Sequence, residues 1–175
     1  MNLEKYIRSI QDYPKKGILF RDVTTLIENK KAFQITIKKM QKISKKIPHT
    51  KIAAIEARGF IFASALAYAN KKPLILLRKK NKLPAATISQ SFKLEYGTDT
   101  IQVHKSSLNK KDRIIIVDDL IATGGTALAA AKLIEKCKAR VSAFLFLIDL
   151  FDLPGNKKLQ DKGYKTYKLI DFPGH

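Results

Sequence analysis

The residues in this chain best suited to chemistry are two adjacent carboxylates and the turn that follows them. They read Asp118-Asp119-Leu120-Ile121-Ala122-Thr123-Gly124-Gly125-Thr126. Glycines allow the backbone to come close to an anion, and the hydroxyls of Thr123 and Thr126 can donate further hydrogen bonds. An alanine-rich stretch of strong helix propensity, residues 127–138, comes next. A turn that opens a helix collects backbone N–H groups and the positive helix end around one point, which suits a phosphate. Carboxylates would repel a bare phosphate, but they can accept hydrogen bonds from the hydroxyls of an attached sugar. The ligand that fits both halves is a ribose carrying a 5′-phosphate, with its 2′- and 3′-hydroxyls on Asp118 and Asp119. The plainer alternative is a solvated Asp pair at a strand end with a turn that only connects. Neither the P-loop pattern nor the dinucleotide pattern Gly-x-Gly-x-x-Gly is present.

These side chains need a scaffold, and the hydrophobic pattern predicts one. Residues 114–117, Ile-Ile-Ile-Val, read as a strand buried on both faces that ends where the carboxylates begin. A second strand–turn–helix unit runs through residues 51–55, the turn Glu56-Ala57-Arg58-Gly59 and a helix over 60–70, with the Arg58 cation at its turn. Residues 73–77 predict another buried strand, followed by the basic run Arg78-Lys79-Lys80-Asn81-Lys82. Further strands are expected at 100–104, 140–148 and, after a break at Leu153-Pro154-Gly155, at 164–170. At the other end, Leu3, Tyr6, Ile7 and Ile10 recur at helical spacing and predict a short amphipathic helix. A turn over 13–17 leads to Ile18-Leu19-Phe20-Arg21-Asp22, read as an apolar flap closed by an Arg21–Asp22 ion pair. Phe33, Ile37, Met40, Ser44 and Ile47 mark one more helix face. Alternating strands and helices imply an α/β domain with a mostly parallel sheet and ligands at the carboxyl ends of its strands.

A length of 175 residues suits a single domain over 1–175 with a proper core. One cysteine, Cys137, allows no intrachain disulfide and suggests a reducing, cytoplasmic setting. No apolar run approaches a membrane span. The charge is unusual, with 34 basic against 15 acidic side chains giving +19. The lysines are spread along the chain with no aromatic-interleaved stripe, so they read as a solvated surface rather than a specific nucleic-acid site. With no His/Cys cluster and no Ser/His/Asp set, protein-held metal and acyl-transfer chemistry lack residues.

The stretch 117–126 resembles the phosphoribosyl pyrophosphate (PRPP) motif of the type I phosphoribosyltransferases, in the Ala-Thr-Gly-Gly-Thr form of the adenine-using members. The resemblance covers nearly the whole chain. It implies a five-stranded, mostly parallel sheet flanked by helices, a small hood over 1–30 and a mobile lid loop over 79–100. It implies that adenine and PRPP give AMP and pyrophosphate with Mg²⁺. That ion would be held through the substrate, with Asp118 or Asp119 acting through water. By the same resemblance, Asp118, Asp119, Ala122, Thr123, Gly124, Gly125 and Thr126 bind the ribose phosphate, and Arg58, Lys79 and Lys82 meet pyrophosphate. Leu19 and Phe20 would flank the adenine, and the main chain near Leu19 and Arg21 would read its polar edge. Ser-x-x-Leu-Glu-Tyr-Gly, residues 91–97, resembles the lid signature, with Tyr96 on the nucleotide and Glu95 as the catalytic carboxylate. The resemblance also implies a non-proline cis peptide at Glu56–Ala57 and a homodimer. Two alternatives stand beside it. One is an enzyme for another purine, although 6-oxopurine enzymes usually carry Asp in place of Ala122. The other is a PRPP-sensing, nucleic-acid-binding regulator on the same fold.

Overall fold

A computed structural model of the chain describes residues 1–93 and 97–174. Its centre is a seven-stranded sheet with spatial order β5-β6-β4-β3-β7-β8-β9. Five strands, β3 (Lys51–Ile55), β4 (Leu74–Lys79), β7 (Arg113–Ile121), β8 (Arg140–Leu150) and β9 (Thr166–Phe172), run parallel. The last two, β5 (Thr87–Lys93) and β6 (Thr98–His104), form an antiparallel hairpin on the β4 edge. Half of the stretch expected as a lid loop, residues 79–100, lies in β4, β5 and β6. Its β5 residues alternate half-buried and exposed, the period-two pattern of a one-sided strand.

Side-chain alternation divides the core into two layers. Ile52, Ala54, Ile115 and Val117 face helices α1 (Thr24–Glu28), α2 (Lys30–Ser44) and α3 (Gly59–Asn70). Ala53, Ile55, Ile114 and Ile116 face the opposite layer, which holds α4 (Gly125–Lys136) and the short α5 (Gly155–Asp161). The side chain of Asn29 caps α2 by accepting from the Ala32 N–H at 3.0 Å. Cys137 is buried beside α4, as a small core residue should be.

The N-terminal segment departs from the helix expected there. A single 3-10 turn, Glu4–Tyr6, leads into β1 (Arg8–Gln11), which pairs antiparallel with β2 (Leu19–Asp22). Helical spacing of four apolar residues lost to cross-strand pairing, a common tertiary override of local pattern. The expected Arg21–Asp22 ion pair is also absent, because neighbours on a strand point to opposite faces. Asp22 instead bonds Arg8 at 2.6 Å, its partner in register. Hydrogen bonds from Thr24, then Arg8, pull Asp22 down to about 2. Arg21 donates to Ser9 and to the Pro173 carbonyl and stacks on the Phe172 ring at 4.5 Å.

Among the described residues, no helix is long and apolar enough to cross a membrane.

Candidate active site

The carboxyl ends of β3, β4 and β7 surround a cavity of about 420 Å³, walled by Glu56, Ala57, Arg58, Lys79 and residues 118–127. Sequence reading ended β7 at the carboxylates, but the strand runs through them to Ile121. Its pairing with β8 stays in step across the carboxylates, Asp118 opposite Phe146 and Leu120 opposite Ile148, while its pairing with β3 ends at Val117. Past that end both Asp118 and Asp119 line the cavity.

Gly59 makes room for the pair, since a Cβ there would lie 2.7 Å from Asp118 Oδ1. That same oxygen accepts from the Asp119 N–H at 2.9 Å. Asp118 opens partly to the cavity but is otherwise enclosed by protein. Burial and the neighbouring Asp119 charge hold it well above the usual carboxylate range. Burial raises Asp119 as well, opposed by the Arg58 charge. Arg58 Nε lies 2.7 Å from Asp119 Oδ2, but without an aligned N–H. That buried oxygen is left with charge opposite it and no hydrogen-bond donor among the described residues. It is an acceptor in want of a hydroxyl or a bound water.

Beyond β7 the chain turns through Ala122 and Thr123 to Gly124, whose φ of +81° suits glycine. α4 starts at Gly125 with no side chain capping it, so its first N–H groups face the cavity unspent. On the opposite wall, Glu56 accepts from the Lys79 N–H at 2.8 Å and from Arg78 at 3.3 Å. The Glu56–Ala57 peptide is cis. The Lys79 ammonium reaches the cavity and lies 3.4 Å from Asp99. Arg58 has its guanidinium 5.1 Å over the Phe20 ring, which Tyr13 meets edge-on. Phe20 therefore approaches the cavity through Arg58.

The structure gathers Arg58, Lys79, Asp118, Asp119, Ala122, Thr123, Gly124, Gly125 and Thr126 around one space. Lys82, Leu19 and Arg21 do not line it. Lys82 is outside the wall with its carbonyl accepting from Arg78, and Asn81 beside it holds φ +65°. Leu19 is half-buried on β2, and the Arg21 side chain is spent on the C-terminal segment. Glu95 and Tyr96 lie outside the described residues. β5 ends at Lys93 beside the phosphate turn, where a Cβ on Gly125 would lie 3.7 Å from the Lys93 carbonyl oxygen. Among the described residues no cluster of three or more ligating side chains could hold a metal alone. Two carboxylates with one unsatisfied oxygen fit an ion carried mainly by substrate oxygens.

The family described as phosphoribosyl transferase domain matches residues 22–174. A protein of Pelagibacter ubique named adenine phosphoribosyltransferase is 62% identical over 175 residues, covering 100% of both chains. The chain belongs to the adenine phosphoribosyltransferase family. The crystal structure of adenine phosphoribosyltransferase from Thermoanaerobacter pseudethanolicus matches with a TM-score of 0.93 at 44% identity, over 98% of this chain and 100% of that one. The enzyme from Giardia lamblia complexed with 9-deazaadenine matches at 0.92 and 32% identity, over 97% and 96%. The sheet is the type I phosphoribosyltransferase fold, its parallel core extended here by the β5–β6 hairpin.

Sequence reading of this adenine phosphoribosyltransferase family member missed the structural parts of the site. Glu56 fastens the Lys79 main chain, and Gly59 accommodates Asp118. Each carried a faint signal, a carboxylate and a glycine flanking the one cation of the Arg58 turn.

Proposed function

We propose that this chain is a purine salvage enzyme that transfers the phosphoribosyl group of PRPP to adenine, giving AMP and pyrophosphate. The observation that carries the reading is the joining of two chemistries in one cavity, an uncapped helix start beside a buried carboxylate pair. Relatives that match over 99–100% of the chain are named adenine phosphoribosyltransferase. In the reaction the N9 lone pair of adenine forms a bond to C1′ of the ribose as the C1′–oxygen bond to pyrophosphate breaks. The N9 proton must leave as that bond forms. The turn from Ala122 to Thr126 takes the 5′-phosphate on backbone N–H groups. Asp118 and Asp119 accept from the ribose hydroxyls, and Arg58 and Lys79 neutralise departing pyrophosphate. Lys82 reaches pyrophosphate only if the 79–100 segment moves, since it is outside the cavity wall. Bound Mg²⁺ would supply charge neutralisation on pyrophosphate and ribose oxygens, with Asp118 or Asp119 holding its water. Leu19, Phe20 and the Arg21 main chain form the adenine side, and Glu95 in the lid serves as the catalytic carboxylate.

The exposed apolar face of α3, with Ile61 and Tyr68, together with Leu76 on β4, supports a homodimer. α3 is apolar around nearly its whole circumference, which a solvent-facing helix does not need.

With Mg²⁺ and PRPP, adenine is expected to turn over, whereas hypoxanthine, guanine and xanthine are poor substrates. The base at the cavity meets Ala122, which offers no side-chain partner to a 6-oxo purine. Steady-state kinetics across the four bases checks this, and comparable kcat/KM for hypoxanthine and adenine would overturn the assignment.

The +19 charge is expected to produce only weak, sequence-independent nucleic-acid binding that salt removes steeply. Filter binding at two salt concentrations checks it. Tight binding of one sequence at physiological salt would favour the regulator reading.

A further inference from the structure

Sequence reading took Leu153-Pro154-Gly155 as a break, yet α5, which starts there, reaches back to the phosphate turn. The Gly155 N–H donates to the Ala122 carbonyl at 2.9 Å. A Cβ on Gly155 would collide with that oxygen and lie 2.8 Å from the Gly124 nitrogen. A Cβ on Gly124 would in turn lie 2.9 Å from the Gly155 Cα. The two glycines meet backbone to backbone, with no room for a side chain on either. One turn further along, the Lys158 ammonium donates to the Thr123 carbonyl at 3.2 Å.

α5 is itself tied to the sheet. Asn156 donates to Asp149 of β8 at 2.5 Å, and Thr166 of β9 donates to Asn156 at 2.6 Å. Asp149 is buried, and Leu159 pins the helix to the core. A path of direct contacts thus leads from β8 and β9 through Asn156 to Gly155 and Lys158, and on to the turn.

The chemistry of an anion site explains why such a path is useful. The N–H groups of a turn can converge on phosphate only if its carbonyls point elsewhere. A Gly-Gly turn is also the most flexible sequence from which to build one. Here the carbonyls of Ala122 and Thr123 are committed to donors on α5. We propose that Gly155 and Lys158 are positioning residues for the 5′-phosphate, bracing the turn from behind so that its N–H groups are aimed before the nucleotide arrives. The inference rests on the function proposed above.

The test is calorimetry of AMP and of adenosine, which lacks the phosphate, with the unsubstituted protein and with Gly155→Ala, Lys158→Gln and Lys158→Arg. Displacing the turn by about an ångström should weaken AMP on the order of 100-fold in Gly155→Ala. Loss of one charged donor should weaken it about 10-fold in Lys158→Gln. Lys158→Arg should keep AMP affinity, and adenosine affinity should hold in all three. KM for PRPP should rise with the AMP dissociation constant while kcat changes less. Lys158 is exposed, so Lys158→Gln decides the matter if Gly155→Ala does not fold. Unchanged AMP affinity in Lys158→Gln, or equal losses for AMP and adenosine, would overturn the brace alone. No AMP binding by the unsubstituted protein would sink the functional reading and the brace with it.

Discussion

Asp118→Asn combined with Asp119→Asn is expected to abolish most AMP binding and, at the same time, to raise the melting temperature at pH 7. The two effects share one origin. Both carboxylates are enclosed, with each other as near neighbours, and both titrate above the usual carboxylate range. A carboxylate whose pKa rises on folding is ionised more readily in the unfolded chain. Stability is therefore lost as pH climbs from the unfolded value near 4 through the raised folded one. That cost is present at pH values above the unfolded one, and a neutral amide removes it. Binding moves the other way. A hydrogen bond to a charged acceptor is worth roughly 1.5–3 kcal/mol, so losing two should weaken AMP about 100- to 10,000-fold. Arg58 loses its partner in the variant, but its side chain is 40% exposed and water can replace the contact. Calorimetry for AMP and thermal unfolding at pH 7 and pH 4 check both halves, and the stabilisation should shrink at the lower pH. Unchanged AMP affinity, or a lower melting temperature at pH 7, would show that the pair is a structural feature.

Glu95→Gln is expected to lower kcat by about 10²–10⁴-fold, the range for a positioned acid or base. Adenine must shed its N9 proton, and among the described residues no histidine stands in the cavity wall. Glu95 is the one carboxylate of the lid signature, and β5 ends at Lys93 beside Gly125. PRPP affinity should change far less, because the phosphate turn and the Asp pair are untouched. The competing role is a lid acid paired with Lys93, worth at most about 1 kcal/mol on a surface. A Gln variant with kcat within about threefold of wild type is far short of the catalytic range. That result would leave Glu95 an ordering residue.

What could be read from sequence followed the length and strength of the local signal. The β3 strand and the turn before α4 were legible because an apolar run bounded by Gly, Arg or Asp has few other uses. α5 was not. It is seven residues long, has no side-chain cap and buries one large side chain, Leu159, so its period never emerges. β1 was misread because Leu3, Tyr6, Ile7 and Ile10 fit a helix, while the register that pairs Arg8 with Asp22 is a long-range fact. The same limit applied at the site. Asp118 and Asp119 could be found from residue type, but the end of the β3 pairing at Val117, past which both line one cavity, could not. Lys82 matched by motif position, yet position along a chain does not say which residues reach the cavity wall.

The Arg21 contact with Pro173 joins residues 152 positions apart. It has a consequence for the timing of synthesis. The strand proposed for the adenine side is made among the first two dozen residues, yet the groups that hold its arginine, Phe172 and Pro173, are made almost last. Contacts of such separation form late in folding. A nascent chain that has reached only the end of β8 lacks both α5, which holds the carbonyls of the phosphate turn, and the groups that hold Arg21. A chain that stops before residue 173 leaves the Arg21 guanidinium without the carbonyl and the ring that hold it. On the function proposed above, nucleotide chemistry therefore waits for the C-terminal segment to be translated, because the supports of both the turn and Arg21 are made there.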